Sequence, residues 1–163
     1  MFSDDGAEQA SQRSHRVVLM ILVERLPTAV PAPGSSADTV VLTWEERAKT
    51  RQRVTTQSGR DVAIKLPTGT RLPPGTVLFL GDDFHIEVIA AEEDVWLIRA
   101  PDAGTLVRVA YEIGNRHFPI EIGDGWVAVR YDHTLVELWE RLGVAGERVT
   151  RPFLSDQRPA HHH

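Results

Sequence analysis

After Trp96 the hydrophobic residues of this chain change period twice, and that change limits its fold more than any other feature. Leu106, Val109, Ala110 and Ile113 fall at i, i+3, i+4 and i+7, the spacing that lays an apolar stripe along a helix, with Asp102 placed to cap its start and Gly114 to end it. Phe118, Ile120 and Ile122 then alternate as a strand with one buried face does, and Asp124-Gly125 turns the chain into a second strand from Trp126 to Tyr131. Leu135, Leu138, Trp139 and Leu142 return to helical spacing, opened by Asp132 or Thr134 and stopped at Gly143. With WLIRAP before the first helix and a short strand around Glu147 to Arg151 after the second, the order is strand, helix, strand, strand, helix, strand. Both helices then cover one face of a four-stranded sheet, the split βαβ arrangement of a ferredoxin-like fold, expected over residues 97–153.

The preceding residues read differently. RQRVTT and DVAIKL flank the turn from Gln57 to Arg60, and VLFLG and FHIEVIA flank Asp82-Asp83, so residues 16–96 are expected to form a small all-β domain. PTGTRLPPGT, with three prolines and two glycines, is excluded from any central strand. Thr43-Trp44-Glu45-Glu46 is a capping box, opening a helical turn or two. The fold class is therefore α+β. Residues 1–15 are polar and aperiodic, and we expect a flexible extension there, matched by a flexible, His-ended tail over 154–163.

VVLMILV, from Val17 to Val23, is far shorter than the ~20 apolar residues of a spanning helix. Glu24-Arg25 follows it with no small-residue cleavage site, so a buried strand in a cytoplasmic protein is expected rather than a membrane segment or export signal. The net charge of −5 argues against a nucleic-acid partner. Arg47, Lys49, Arg51 and Arg53 form a local basic run, read as a solvated face in preference to a binding patch. The chain has no cysteine, so any metal site must be built from imidazole, carboxylate and backbone oxygen.

Of the histidines, His15 lies in the extension, and His85 is read as a surface residue on a strand face opposite Ile86 and Val88. His117 stands at a corner, just past a helix ending at Gly114, with Asn115 free to turn left-handed and Pro119 fixing an extended run after it. A histidine there either caps carbonyls at the helix C-terminus or serves as a metal ligand. His133 comes 16 residues later, after a hairpin that returns the chain towards His117. Asp132 beside it is able to cap the next helix, to ligate a metal, or to fix an imidazole tautomer. The final His161-His162-His163 is either the remnant of a purification tag or a native metal-collecting arm.

LTWEERAKTRQRV, YEIGNRHFPIEIGDGW and RYDHTLVEL together resemble the urease accessory nickel metallochaperone family, over most of the chain from Val17 to Phe153. The resemblance implies a cytoplasmic homodimer with a peptide-binding β-domain and a ferredoxin-like metal domain. It further implies delivery of Ni2+ to apo-urease in an assembly with a urease accessory GTPase. The histidine of GNRH, here His117, becomes the principal ligand, given by both protomers at their interface, and His133 an auxiliary one. Some members carry a further histidine where this chain has Tyr131, and some carry a long histidine-rich tail, here three residues. Transfer of nickel is therefore expected rather than storage.

Nickel accepts imidazole and oxygen donors without thiolate, and Zn2+, Co2+ and Cu2+ compete for the same atoms. The rival reading is a peptide- or protein-interaction module with incidental histidines. An enzyme using Asp132 and His133 as an acid-base pair is disfavoured, because no nucleophile sits in a recognisable elbow or triad context.

Overall fold

A computed structural model describes residues 19–156 of the chain. His15, the N-terminal extension and His161, His162 and His163 lie outside the described residues. The first half contains β1 (Ile21–Val23), β2 (Ser36–Leu42), the short helix α1 (Trp44–Ala48), β3 (Arg51–Thr55), β4 (Asp61–Lys65), β5 (Val77–Leu80) and β6 (Phe84–Ala90). These strands make two three-stranded sheets, ordered β1-β4-β3 and β2-β6-β5, each combining one parallel and one antiparallel pairing. Val40, Leu42, Val62, Ile64, Leu78, Ile86 and Val88 meet in one buried cluster. The proline-rich segment between β4 and β5 is irregular as expected, though its Leu72 is buried in that same cluster. Thr43 caps α1 through a complete capping box with Glu46.

Three expectations are corrected here. VVLMILV does not form a buried strand: Leu19 is 82 % exposed, and only Val23 of the described part is buried. The reason is that β1 pairs with β4 alone, so its other edge and alternate side chains stay in solvent. His85 is buried rather than on the surface, because the residues leading into β2 cover the second face of β6 and Ser35 Oγ lies 2.8 Å from His85 Nδ1. Arg47 is also buried, only 7 % exposed, because it reaches under the residues that follow the last strand and donates to the Phe153 carbonyl. Lys49, Arg51 and Arg53 are exposed as expected.

The second half contains β7 (Glu92–Arg99), α2 (Ala103–Asn115), β8 (Ile120–Gly123), β9 (Trp126–Arg130), a single 3-10 turn (His133–Leu135), α3 (Val136–Leu142) and β10 (Gly146–Pro152). Its antiparallel sheet has the order β10-β7-β9-β8, the ferredoxin-like arrangement predicted from the periodicity. Strand β7 starts at Glu92, ahead of the expected WLIRAP, because β10 pairs with it from Glu92 to Ile98. Val109 and Ile113 of α2 and Leu138 and Trp139 of α3 pack on Ile98, Ile120, Val127 and Val129 of the sheet. Ile122 shares the expected alternation but is 70 % exposed, lying on the edge strand. A third cluster of Trp44, Val95 and Phe153 joins the halves. Among the described residues, no helix is long and apolar enough to cross a membrane.

Candidate metal centre

The corner carrying His117 is built by the end of α2. Helix α2 opens on Asp102, whose carboxylate accepts from the Thr105 amide at 2.8 Å, and it runs through Gly114 and Asn115 before its cap at Arg116. The Phe118 amide donates to the Ile113 carbonyl at 3.4 Å, and the His117 amide to the Gly114 carbonyl at 2.9 Å. These two bonds are the pattern of a Schellman cap, in which the residue at the His117 position is left-handed. His117 has φ of 60°, and no other non-glycine among the described residues has positive φ. The expectation that Gly114 ends the helix and Asn115 turns left-handed is thus corrected by one residue for the helix end and by two for the left-handed turn. Phe118 supplies the reason, since its packing against the core requires the chain to turn only after Arg116.

Other contacts immobilise the corner while leaving the imidazole exposed. Arg116 Nη1 donates to the Glu112 carbonyl at 2.9 Å and to its carboxylate at 2.7 Å, and Arg141 of α3 reaches the same carboxylate at 3.0 Å. The Arg116 hydrogen bond is the main cause holding the Glu112 carboxyl below its ordinary range. This brace was readable in sequence as an i, i+4 pair at positions 112 and 116.

His133 and Asp132 follow β9. The pairing of Ile120 with Val129 places them at the same end of the β8-β9 hairpin as His117. Asp132 is a helix cap, its Oδ1 accepting from the Thr134 amide at 2.8 Å and from the Thr134 hydroxyl at 2.5 Å. Those bonds, the hydroxyl one first, hold its carboxyl below the ordinary range. Asp132 Oδ2 makes no hydrogen bond among the described residues and remains available as a donor. The Asp132 carbonyl accepts from Trp96 Nε1 at 3.0 Å, and the Tyr131 amide donates to the Asp94 carbonyl at 2.8 Å, so the backbone beneath exposed His133 is fixed. Tyr131 itself is packed between Trp96, 5.1 Å away ring to ring, and the Arg148 guanidinium, 3.9 Å over its face. This position serves packing.

The donors present are imidazole and carboxylate, a set that suits nickel and other borderline metals. Among the described residues, no three or more histidines, aspartates or glutamates are grouped closely enough to hold a metal ion.

Comparison with known proteins gives these residues a context. The model of the UreE urease accessory protein N-terminal domain matches residues 22–91, and that of its C-terminal domain matches residues 93–163. The chain belongs to the UreE urease accessory protein family. The urease accessory protein UreE of Burkholderia thailandensis is 44 % identical over 129 residues, covering 79 % of this chain and 59 % of that relative. Its counterparts in Burkholderia mallei and Burkholderia pseudomallei are each 45 % identical over 117 residues, covering 72 % of this chain and 58 % of theirs. The chain thus spans less than two thirds of the length of these curated relatives. The family is one of accessory proteins and not of enzymes.

Proposed function

We propose that this protein is a nickel metallochaperone of urease maturation, a cytoplasmic homodimer that holds Ni2+ between the His117 side chains of its two protomers. His133, Asp132 and the terminal His161, His162 and His163 act as auxiliary donors. The carrier passes the ion to apo-urease by ligand exchange within an assembly that includes the urease accessory GTPase. We assign the metal to the ferredoxin-like half and partner binding to the β-rich half, with the change of domain at Ala91, ahead of the 96/97 boundary expected from pattern alone.

The observation that carries this reading is the exposed imidazole of His117 in a left-handed position, where glycine is the cheaper residue. Strain kept at an exposed residue is a mark of a functional position. Dimerisation supplies what one chain lacks, because a two-fold axis doubles every donor near it. The outer face of α2 supports such an axis: Val107 and Tyr111 are 69 % and 65 % exposed one turn apart, and a Cβ added to Gly114 would meet nothing within 4 Å. Structural metal sites bind with about 10–16 kcal/mol, whereas micromolar binding is about 8 kcal/mol, and a carrier that releases its ion belongs near the second value. Exposed ligands at a loop corner suit that range.

Calorimetric titration of Ni2+ into the protein and into His117→Ala, with sedimentation to count protomers, tests the reading. One tightly held nickel per dimer is expected, lost in the variant. A tight phase unchanged by His117→Ala would remove that residue from the site, and a metal-loaded monomer would remove the two-fold arrangement.

A further inference from the structure

The imidazole of His133 is exposed and makes no hydrogen bond among the described residues, so its direction is set by the backbone that carries it. That backbone leaves the sheet at Tyr131, whose amide donates to the Asp94 carbonyl at 2.8 Å, and enters the 3-10 turn at His133. Between these points lies the peptide plane that joins Asp132 to His133. Its carbonyl accepts from the Leu135 amide at 3.2 Å, a bond within the turn, and from Trp96 Nε1 at 3.0 Å. Of the two, the indole bond is the one that reaches out of the turn to strand β7.

Trp96 is held from several sides. On β7 it pairs with Val129 of β9 and with Arg148 of β10. Its ring lies 5.1 Å from that of Tyr131 and meets Trp139 of α3 edge to face at 6.5 Å. The Arg148 guanidinium covers Tyr131 at 3.9 Å and pairs with Asp94 at 2.8 Å, which closes the stack on that side. Gly146 leaves the space that the two indoles fill, since a Cβ there would meet Trp139 at 2.9 Å and Trp96 Cε3 at 3.1 Å. Ring contacts of this kind fix direction as well as burying area. Packing alone does not demand an acceptor for an indole in this cluster, because Trp139 Nε1 is buried there with no hydrogen-bond partner among the described residues. The Trp96 donor, by contrast, is aimed at the carbonyl that precedes His133.

We propose that Trp96 is a positioning residue of the nickel site, its Nε1 holding the Asp132-His133 peptide plane so that the His133 imidazole is presented to the ion in one direction. This rests on the reading of His133 as an auxiliary donor. A metal donor has to be held close to its bonding geometry, and groups that orient a ligand without touching the ion have large effects on affinity. Without the indole bond the turn samples orientations that do not bind, and affinity falls by the fraction of time spent in them. Trp96 acts through a single hydrogen bond to the backbone, so its effect is about fivefold in affinity.

Calorimetric titration of Ni2+ into the full chain, arranged as a double-mutant cycle, tests the assignment. Trp96→Phe keeps an aromatic ring without the donor and is expected to bind nickel about fivefold more weakly. Replacement of the Trp96 indole by benzothiophene, which retains both rings and lacks only the N–H, is expected to give the same loss, and it keeps the test open if Trp96→Phe does not fold. In a His133→Ala background the removal of the donor is expected to cause no further loss, whereas a purely structural role makes the two losses multiply. Urea unfolding of each variant separates lowered stability from lowered affinity. Parent-like nickel affinity in either Trp96 variant, or multiplied losses in the double variant, overturns the proposal and leaves His133 as a donor. If His133→Ala alone binds nickel like the parent, His133 is not a donor, and the role of Trp96 falls with that part of the reading.

Discussion

His117 and Gly143 hold the same place at the ends of the two helices of the ferredoxin-like half. Each donates its amide to the carbonyl three residues back, at 2.9 Å from His117 to Gly114 and 3.1 Å from Gly143 to Glu140. In each case the next amide reaches five residues back, from Phe118 to Ile113 and from Val144 to Trp139. The φ angles are 60° and 66°. One Schellman cap thus has the residue that the conformation favours and the other has an imidazole.

The difference predicts opposite effects on stability and on metal binding. A side chain in the left-handed region costs about 1 kcal/mol relative to glycine. His117→Gly should therefore be about 1 kcal/mol more stable than His117→Ala in urea unfolding, while both lose the tight nickel phase. Equal stability of the two variants would mean that residue 117 is not held left-handed.

Asp132 separates in a similar way. Its Oδ1 caps the 3-10 turn through Thr134, and its Oδ2 accepts no hydrogen bond among the described residues. Asp132→Asn keeps an acceptor at the cap and should change stability by only a few tenths of a kcal/mol, whereas Asp132→Ala should cost about 1 kcal/mol. If Asp132 also ligates, both should weaken nickel binding, as read by the same titration. A nickel affinity unmoved by Asp132→Asn would leave this residue with the capping role alone.

The ferredoxin-like order was legible because each of its elements has its own period, and Phe118, Ile120 and Leu138 sit where those periods place them. The exact end of α2 was not, since the choice between Asn115 and His117 depends on where Phe118 finds its core contact across the sheet. His85 and Arg47 were misread for a related reason. Local pattern assigns a polar residue to solvent, but Ser35, 50 positions from His85, and Phe153, 106 positions from Arg47, cover them in the fold. Residue types pointed to His117, His133 and Asp132. A site shared by two protomers came from the family resemblance and not from the residue pattern, and among the described residues no three or more histidines, aspartates or glutamates are grouped.

Asp38 supplies a pH dependence from the other half of the molecule. Burial by itself would raise its carboxyl, but hydrogen bonds from Ser58, Thr56 and Arg60 outweigh that and bring it to about 2. Ser58 Oγ and Arg60 Nη1 donate to its Oδ2 at 2.5 and 2.7 Å. A carboxyl lowered on folding stabilises fully above its unfolded value near 3.8, and the contribution fades as pH falls towards 2. Its size is about 2 kcal/mol. In urea unfolding at pH 7, 4 and 2.5, the parent should lose more than half of its advantage over Asp38→Asn, about 1–1.5 kcal/mol, between pH 4 and pH 2.5, because the folded carboxyl only begins to protonate there. A constant difference across that range would assign the acid sensitivity to other carboxylates.

Phe153 tests whether the two halves unfold together. Its ring meets Trp44 edge to face at 5.6 Å between centroids, its carbonyl accepts from buried Arg47, and it is fully buried beside Val95 of β7. It therefore belongs to the contact between α1 and the ferredoxin-like sheet rather than to either main core. Truncation of a buried phenylalanine costs about 3–5 kcal/mol through lost transfer energy and the cavity left behind. That loss falls on the junction, so Phe153→Ala should lower the denaturation midpoint and also split a single transition into two. Near-ultraviolet circular dichroism reports on Trp44 at the junction and on Trp96 and Trp139 in the second core, and scanning calorimetry counts the transitions. A variant that still melts in one sharp transition, with its enthalpy intact, would show that the halves are coupled through contacts other than Phe153.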